Sequence, residues 1–231
     1  MLIGGLQKTT LIDYPNKLAA TIFTLGCNFR CSFCHNAELV FRSAEPISEE
    51  DIFDFLKQRK NFLQAICVTG GEPTIHDDLD QLIKKIKQFG FLVKLDTNGT
   101  APKVIEKLIK NKLIDYIAMD IKAPWSKYKQ ITGVDRDIEK IKKSVDLLMQ
   151  NKVDYEFRST IVKELHPRED IIQMAEQIKG AKKYYLQQFR SAEKLVNPQC
   201  RYSSYTNKEL NGIINEINDN FDICELRGSD F

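Results

Sequence analysis

The stretch TLGCNFRCSFCHNAELV, residues 24–40, carries three cysteines within eight positions: Cys27, Cys31 and Cys34. It overlaps an apolar, β-branched run, LAATIFTL at residues 18–25, which predicts a buried strand. The strand therefore leads directly into a loop that can gather three thiolates around one point.

The strand before the cysteines is the first of a repeated pattern in which strands and helices alternate. Further strands are predicted at AICVT, FLVKLDT, DYIAMDI, YEFRSTIV, KYYLQQF and FDICEL, residues 65–69, 91–97, 115–121, 155–162, 183–189 and 221–226. Helical patterns lie between them, the first opened by a capping box of Ser48 and Asp51. The alternation predicts an α/β fold with right-handed crossovers and a parallel sheet, and leaves open whether the sheet is doubly wound or a barrel.

The whole chain, residues 1–231, is predicted to form a single domain, because no linker or low-complexity tract interrupts it. We expect an N-terminal extension at about residues 1–17, a core at about 18–190, and a C-terminal helix and strand at about 200–231.

Composition excludes several classes of function. The net charge is +2, which gives no reason to expect a nucleic acid or a membrane surface as partner. We see neither a signal peptide nor an apolar run long enough to cross a bilayer, so a cytoplasmic protein is expected. Clustered cysteines in that compartment favour metal binding or catalysis over disulfides.

Polar residues and glycines gather where the predicted strands end. Parallel strands bring their carboxyl ends to one rim, where ligands usually bind. The rim would collect Thr69, Gly70, Gly71, Glu72, Pro73, Asp96, Thr97, Asn98, Gly99, Asp120, Lys122, Arg158, Thr160, Gln187 and Gln188.

The three cysteines fit two kinds of metal centre. Zinc would need a fourth ligand, such as His35, although a ligand adjacent to Cys34 is sterically awkward. A [4Fe–4S] cluster held by three thiolates would keep one iron open for a ligand. Residues 36–66 contain no cysteine, so one cluster is expected, not several.

Two motifs resemble those of the radical S-adenosylmethionine (SAM) enzymes. They are the C-x3-C-x-Φ-C spacing, with Phe33 before the last cysteine, and TGGEP at residues 69–73. CHN at residues 34–36, LDTNG at 95–99 and MDIK at 119–122 resemble the activases of glycyl radical enzymes. Residues 4–36 resemble the longer form of the anaerobic ribonucleoside-triphosphate reductase activating proteins. The likeness is strongest up to Lys122 and weak after Gln188.

The resemblance implies a partial (β/α)6 barrel, with parallel strands and outer helices, and a set of cofactor contacts. Cys27, Cys31 and Cys34 would hold one [4Fe–4S] cluster, whose open iron takes the amino and carboxylate groups of SAM. The residues implied for SAM binding are Phe33 at the adenine, Gly70, Gly71 and Glu72 at the amine, Arg158 at the carboxylate, Lys122 with Asp120 at the ribose, and Asp96, Asn98 and Gln188. A monovalent cation at Asp96, Thr97 and Asp120 is also implied.

The implied reaction is reductive cleavage of SAM to a 5′-deoxyadenosyl radical, which removes a hydrogen atom from a glycine of a partner. Anaerobic ribonucleotide reductase is the expected partner, with a flavodoxin or ferredoxin-type protein as electron donor. Two alternatives remain open: a radical enzyme with a small substrate, similar to the 7-carboxy-7-deazaguanine synthases, and a non-enzymatic zinc-binding module.

Most of the remaining cysteines and histidines are assigned structural or surface roles, and Cys224 is assigned none. Cys67 is predicted to be a small core residue, and Cys200 a loop thiol. His76 and His166 lie next to predicted helix starts and are interpreted as capping or surface groups. His35 could tune the cluster through a hydrogen bond.

Overall fold

Eight β-strands and eight α-helices make up the part of the chain that the computed structural model describes, residues 1–135, 137–190 and 194–228. The strands are β1 (Ile3–Thr10), β2 (Ala19–Thr24), β3 (Ala65–Gly70), β4 (Leu92–Thr97), β5 (Tyr116–Asp120), β6 (Asp154–Ile161), β7 (Lys183–Gln188) and β8 (Ile223–Arg227). The helices are α1 (Ala37–Val40), α2 (Glu49–Arg59), α3 (Leu79–Gln88), α4 (Pro102–Lys110), α5 (Tyr128–Thr132), α6 (Ile138–Met149), α7 (Arg168–Gln177) and α8 (Asn207–Ile217).

The eight strands lie in one sheet whose spatial order is the chain order. Strands β2 to β8 are parallel and β1 runs antiparallel to β2. Because every parallel connection moves to the next strand in the same direction, the sheet curls as a barrel does. Within the described ranges β1 and β8 are edges that do not pair with each other, so the barrel is partial. The predicted fold class is confirmed, and the alternative of a doubly wound sheet is wrong.

Local sequence signals explain where the helices begin. The Ser48 hydroxyl accepts the Asp51 amide at 3.0 Å and caps α2, as the capping box predicts. Pro102 occupies the first turn of α4, where its missing N–H costs nothing. Thr206 and Glu209 form a reciprocal capping box at α8. All seven predicted strands are present as β2 to β8, and the last three residues of the chain lie outside the described part.

Strand β1 is the longest element that the sequence analysis missed, and the short helices α1 and α5 were missed as well. Its sequence, IGGLQKTT, has a glycine pair and a polar second half, so it lacks the alternation of a typical strand. The turn that follows folds across the amino ends of β2, β3 and β5. There the ring of Tyr14, which is 6% exposed, packs against Ala19, Ala65 and the Tyr116 ring at 6.0 Å. The amino end of the barrel is therefore filled, and open space remains at the carboxyl end.

The hydrophobic core lies between the sheet and the outer helices. It joins alternate strand residues, such as Ile66 and Val68 of β3, to helix residues such as Ile83 and Ile86 of α3, all fully buried. Opposite side chains of the same strands face the barrel interior and are largely polar. None of the described helices is long and apolar enough to cross a membrane.

Candidate active site

One cavity lies at the carboxyl ends of strands β2 to β6 and has a volume of about 260 Å³. The described lining residues include most of the predicted site: Cys27, Cys31, Phe33, Cys34, Gly70, Gly71, Glu72, Asp96, Thr97, Asn98, Asp120, Lys122 and Arg158. Phe29, His35, Asn36, Val40, Thr69 and Thr160 complete it. Gln188 is not among these residues; its side-chain amide donates to the Tyr205 carbonyl at 2.7 Å.

Residues 25–36, between β2 and α1, carry the three cysteines, and we call them the cysteine loop. Two glycines bring the end of β3 against the start of this loop. A Cβ on Gly70 would lie 2.1 Å from the Thr24 nitrogen, and one on Gly71 would lie 2.1 Å from the Gly26 carbonyl oxygen. Gly70 also has a φ of +123°, which residues with side chains rarely adopt. The close approach lets the amides of Gly71 and Glu72 donate to the carbonyls of Thr24 and Gly26 at 2.9 and 2.8 Å. The glycine pair thus fixes the entry to the cysteine loop.

The cysteine thiols surround the cavity. Burial raises the pKa of the Cys27 thiol to about 12 and that of Cys31 to about 11, although the Lys122 ammonium opposes the shift at Cys31. Both are thiols at neutral pH, so a bound metal would have to displace their protons. No three His, Cys, Asp or Glu side chains in the described ranges are arranged to hold a single metal ion.

Glu72 ties the loop after β3 to the end of β4. One carboxylate oxygen accepts the Thr74 amide at 3.0 Å and the hydroxyls of Thr74 and Thr97 at 2.5 and 2.7 Å. The other oxygen accepts the Asn98 amide at 2.6 Å. The residue is 1% exposed, and its burial raises the carboxyl pKa even though these hydrogen bonds lower it. In this conformation Glu72 stabilises the rim.

Asn98 extends that connection to the cysteine loop. Its side-chain nitrogen donates to Asn28 at 2.7 Å, and its side-chain oxygen accepts the Thr100 hydroxyl at the same distance. Asn28 in turn donates to the Thr100 hydroxyl at 2.8 Å. Asn98, which follows β4, therefore holds the cysteine loop in place through its bond to Asn28.

Five charged side chains alternate in sign across β4, β5, β6 and the residues that follow β5. We call them the charge row: Lys94, Asp96, Arg158, Asp120 and Lys122. The Arg158 guanidinium lies 3.0 Å from Asp96 and 3.1 Å from Asp120. Lys122 bonds to Asp120 at 2.9 Å, and Lys94 bonds to Asp96. The row carries one net positive charge, because three cations face two carboxylates.

Within the charge row, neighbouring opposite charges shift the pKa values of Asp120 and Lys122 more than burial does. Burial alone would raise the pKa of Asp120, but Lys122 and Arg158 lower it to about 2. Burial would likewise lower the pKa of Lys122, but the Asp120 carboxylate raises it above its usual range. The ammonium of Lys122 is thus a stable cation beside the cysteine loop.

Cys67 and Lys94 lie deeper in the barrel. Cys67 is fully buried, as predicted for a small core residue, but its sulfur lies 3.8 Å from the Lys94 nitrogen and so faces the polar interior. Burial raises the pKa of its thiol well above the usual value. Cys67 is not among the described residues that line the cavity.

A segment after β7 covers the cysteine loop, and sequence analysis gave it no role. We call residues 194–205 the strap. Its amides at Val196 and Asn197 donate to the carbonyls of Cys34 and Ser32 at 2.9 and 3.1 Å. The sequence signal that could have identified it is the long irregular connection before α8, since such loops in compact domains are usually functional.

Side chains reinforce the contact between the strap and the cysteine loop. The hydroxyls of Tyr202 and Ser32 lie 2.6 Å apart. Phe189 contacts Tyr202 edge-on at 6.1 Å and packs against the His35 ring at 5.2 Å. His35 therefore has an aromatic neighbour, while the proposed hydrogen bond that would tune a cluster stays a prediction.

The prediction that His166 is a capping or surface group is wrong. The residue is fully buried, and its ring meets the Phe33 ring edge-on at 5.9 Å. The N-cap of α7 is Pro167, with no side-chain hydrogen bond. His76 is half-buried, and its Nε2 lies 2.9 Å from the Leu25 carbonyl oxygen. Local sequence could not separate the two, because burial of His166 depends on elements distant in the chain.

Comparison with known proteins identifies the class to which the fold and cavity belong. Residues 21–178 match the family model of the Radical SAM superfamily, which is more than half of the chain. The chain belongs to the Radical SAM superfamily.

Individual relatives refine this placement. A protein of Methanocaldococcus jannaschii named "putative glycyl-radical enzyme activating enzyme" is 42% identical over 196 residues, which cover 81% of this chain and 80% of that one. A "probable GTP 3′,8-cyclase" of Saccharolobus islandicus is 38% identical over 127 residues, 52% of this chain and 41% of the relative. Among solved structures, Streptococcus suis SuiB bound to S-adenosylmethionine has a TM-score of 0.67 at 17% identity, covering 87% of this chain and 48% of SuiB. At that identity the likeness shows the fold alone.

Membership of the superfamily implies a [4Fe–4S] cluster and SAM, and the residues present fit both. Three thiols on one short loop match a cluster that keeps one iron free of protein ligands. The neighbouring lining offers cations for a carboxylate and backbone at two glycines for an amine. The positions of individual SAM contacts, and of the monovalent cation, stay predictions.

Proposed function

We propose that this protein is a radical SAM activating enzyme that removes a hydrogen atom from a glycine of a partner glycyl radical enzyme, and that the partner is anaerobic ribonucleotide reductase. The observation that carries the proposal is the cavity itself. The cysteine loop, the glycine pair and four of the five residues of the charge row line it, at the carboxyl end of a barrel that the described strands do not close. The M. jannaschii relative, similar over most of its length, supports an activating role.

In this proposal the chain binds and orients, while the cofactors supply the radical chemistry. When bound, the cluster supplies the electron that cleaves SAM. Cys27, Cys31 and Cys34 would hold the cluster. Arg158 would share its guanidinium between the charge row and the methionine carboxylate, for which the row's net positive charge is suited.

The remaining contacts concern the nucleoside and the rim. Lys122, held by Asp120 at 2.9 Å, would donate to the ribose. Phe33 would pack near the adenine. Glu72 and Asn98 would act mainly by holding the rim, since both already have protein partners. Gln188 would need to leave the Tyr205 carbonyl to reach a cofactor.

The residues proposed for a monovalent cation already have ionic or hydrogen-bond partners. Asp96 and Asp120 are already neutralised by Arg158, Lys94 and Lys122, and the Thr97 hydroxyl donates to Glu72. A cation at these residues would therefore compete with existing ion pairs.

A small-molecule substrate is the second candidate, favoured by the cyclase of S. islandicus. That similarity covers about half of this chain and less than half of the cyclase, so it concerns the shared part of the fold. Membership of the superfamily implies a [4Fe–4S] cluster, so it does not support the alternative of a non-enzymatic zinc-binding module.

The test is radical transfer to a protein. The purified chain is reconstituted with iron and sulfide under anaerobic conditions, then mixed with reductant, SAM and the anaerobic ribonucleotide reductase subunit from the same genome. A flavodoxin or ferredoxin can replace the chemical reductant. We expect a glycyl radical by electron paramagnetic resonance and 5′-deoxyadenosine in comparable amounts.

Two controls make the result specific. A partner with its radical glycine changed to alanine should give no signal, and Cys31→Ala of the activating enzyme should be inactive with the intact partner. If the reductase acquires no radical while GTP or another small molecule drives deoxyadenosine formation, the activating role is wrong.

A further inference from the structure

His166 is a fully buried histidine behind the cavity wall, not among the lining residues. Its Nδ1 accepts the amide of Val162 at 3.0 Å, so the ring proton is on Nε2, which donates to the Lys122 carbonyl at 2.9 Å. Burial lowers the pKa of the imidazole, which keeps it in this neutral form. Both ring nitrogens therefore have fixed partners.

The backbone of Lys122 is held on both sides of its Cα. Its amide donates to the Tyr128 hydroxyl at 3.0 Å, and its carbonyl accepts from His166. The Lys122 side chain, which leaves that Cα, lines the cavity and bonds to Asp120. Side-chain direction follows backbone placement, so the two hydrogen bonds set where the ammonium lies.

The same imidazole contacts the cysteine motif. The Phe33 ring meets it edge-on, with centroids 5.9 Å apart and an interplanar angle of 83°. This is a favoured aromatic geometry, and it limits the tilt of a ring that is itself 5% exposed. One side chain thus touches two cavity-lining residues that belong to different loops.

The imidazole has no role at the start of α7, since the helix is not capped by it. The backbone around it is fastened separately, because the Tyr205 hydroxyl donates to the His166 carbonyl at 3.0 Å. The two ring nitrogens of His166 therefore bond to the loops after β5 and β6, and the ring itself packs against Phe33.

We propose that His166 is a positioning residue for SAM, which sets the Lys122 ammonium and the Phe33 ring at a fixed separation so that ribose and adenine are bound together. The inference rests on the proposed function only in its cofactor contacts, not in the identity of the partner. A rigid link of this kind raises the affinity for SAM, because the side chains of Lys122 and Phe33 are already ordered before SAM binds.

The test separates the two ring nitrogens. In His166→Asn the side-chain amide reaches about as far as Nδ1, so it can keep Val162 and loses Lys122. In His166→Gln it reaches about as far as Nε2, so it can keep Lys122. Binding of SAM to the anaerobically reconstituted proteins is measured by calorimetry, with iron and sulfide content measured on the same samples.

We expect His166→Asn to weaken SAM binding about three- to tenfold at unchanged iron content, and His166→Gln to recover affinity to within about twofold. Tyr128→Phe, which frees the amide of Lys122, should weaken binding by about two- to fivefold. Tyr155→Phe is the matched control, because it removes a hydroxyl that accepts the Lys182 amide elsewhere in the fold. It should bind SAM as the wild type does.

Three results would overturn the inference. The first is wild-type affinity in both His166→Asn and Tyr128→Phe. The second is equal loss in the Asn and Gln variants, which would indicate general packing. The third is loss of affinity in proportion to loss of iron. If His166→Asn does not fold, His166→Gln and Tyr128→Phe still decide. Failure of the wild type to bind SAM would refute this inference and the proposed function together, whereas SAM binding without a glycyl radical refutes the partner alone.

Discussion

At the residue scale, most polar side chains at this site form hydrogen bonds or ion pairs with one another. Glu72 illustrates this, since a carboxylate expected from the resemblance to assist SAM instead accepts four hydrogen bonds from Thr74, Thr97 and Asn98. A buried acceptor with several donors is expensive to remove, because each donor left behind loses its partner and cannot reach water.

We predict that Glu72→Ala lowers the free energy of unfolding by about 3–5 kcal/mol, and Glu72→Gln by about 1–3 kcal/mol. Glutamine keeps one oxygen for the threonines and loses the bond to Asn98. Urea unfolding of the cluster-free chain measures both, with Glu50→Gln on the exposed start of α2 as control. Equal stability of the Ala variant and the wild type would show that Glu72 does not hold the rim.

The spacing of residues within one short loop predicts which of their side chains can meet. Cys27, Cys31 and Cys34 are close in sequence, so their meeting at one cavity could be predicted. The partners of Glu72 and His166 could not, because they depend on which loops the folded sheet brings together.

At the scale of elements, the order of the strands in the sheet brings the residues of the charge row together. Asp96, Asp120 and Arg158 come from β4, β5 and β6, which are neighbours because the sheet follows chain order. Sequence predicted these residues at one rim from the parallel pattern alone. It did not predict their pairing, which follows from the register Asp120↔Arg158. β1 was missed because its pattern is only recognisable once β2 provides a partner.

The charge row makes stability depend on pH. The pKa of Asp120 falls from 3.8 to about 2 on folding, so the unfolded chain binds the proton more readily. Its contribution, about 2 kcal/mol, is present above about pH 4 and is lost as the pH falls towards 2.

Urea unfolding of the cluster-free chain from pH 5 to pH 2 tests this effect. Asp120→Asn should be less stable at pH 5 and show a shallower loss of stability on acidification. Asp135→Asn, at a carboxylate with 75% side-chain exposure, should follow the wild type. Identical pH dependence of wild type and Asp120→Asn would contradict the assignment.

At the scale of the whole molecule, the cysteine loop is held from three directions. The glycine pair of β3 fixes its start, Asn98 supports it through Asn28, and the strap covers its end. The first of these could be expected from the TGGEP motif. The contact of the strap with this loop could not, because the two segments lie more than 150 positions apart in the chain and no local pattern links them.

We predict that the hydroxyls of Tyr202 and Ser32 act as one unit in protecting a bound cluster. Tyr202→Phe and Ser32→Ala should each speed the loss of absorbance near 400 nm on exposure to air by a few-fold. Because the two hydroxyls bond to each other, the double variant should be no faster than either single one. Additive effects would show that they act independently. Iron content before exposure should match the wild type in all three.

The strap also has a consequence for synthesis. A ribosome makes the cysteine loop early and Val196 more than 150 residues later, a delay on the order of ten to thirty seconds. During that interval the carbonyls of Ser32 and Cys34 lack their final donors, and the loop is open to whatever delivers iron and sulfide. Completion of the chain supplies those donors at Val196 and Asn197. The end of the cysteine loop is therefore fixed only after the other residues of the rim have been synthesised.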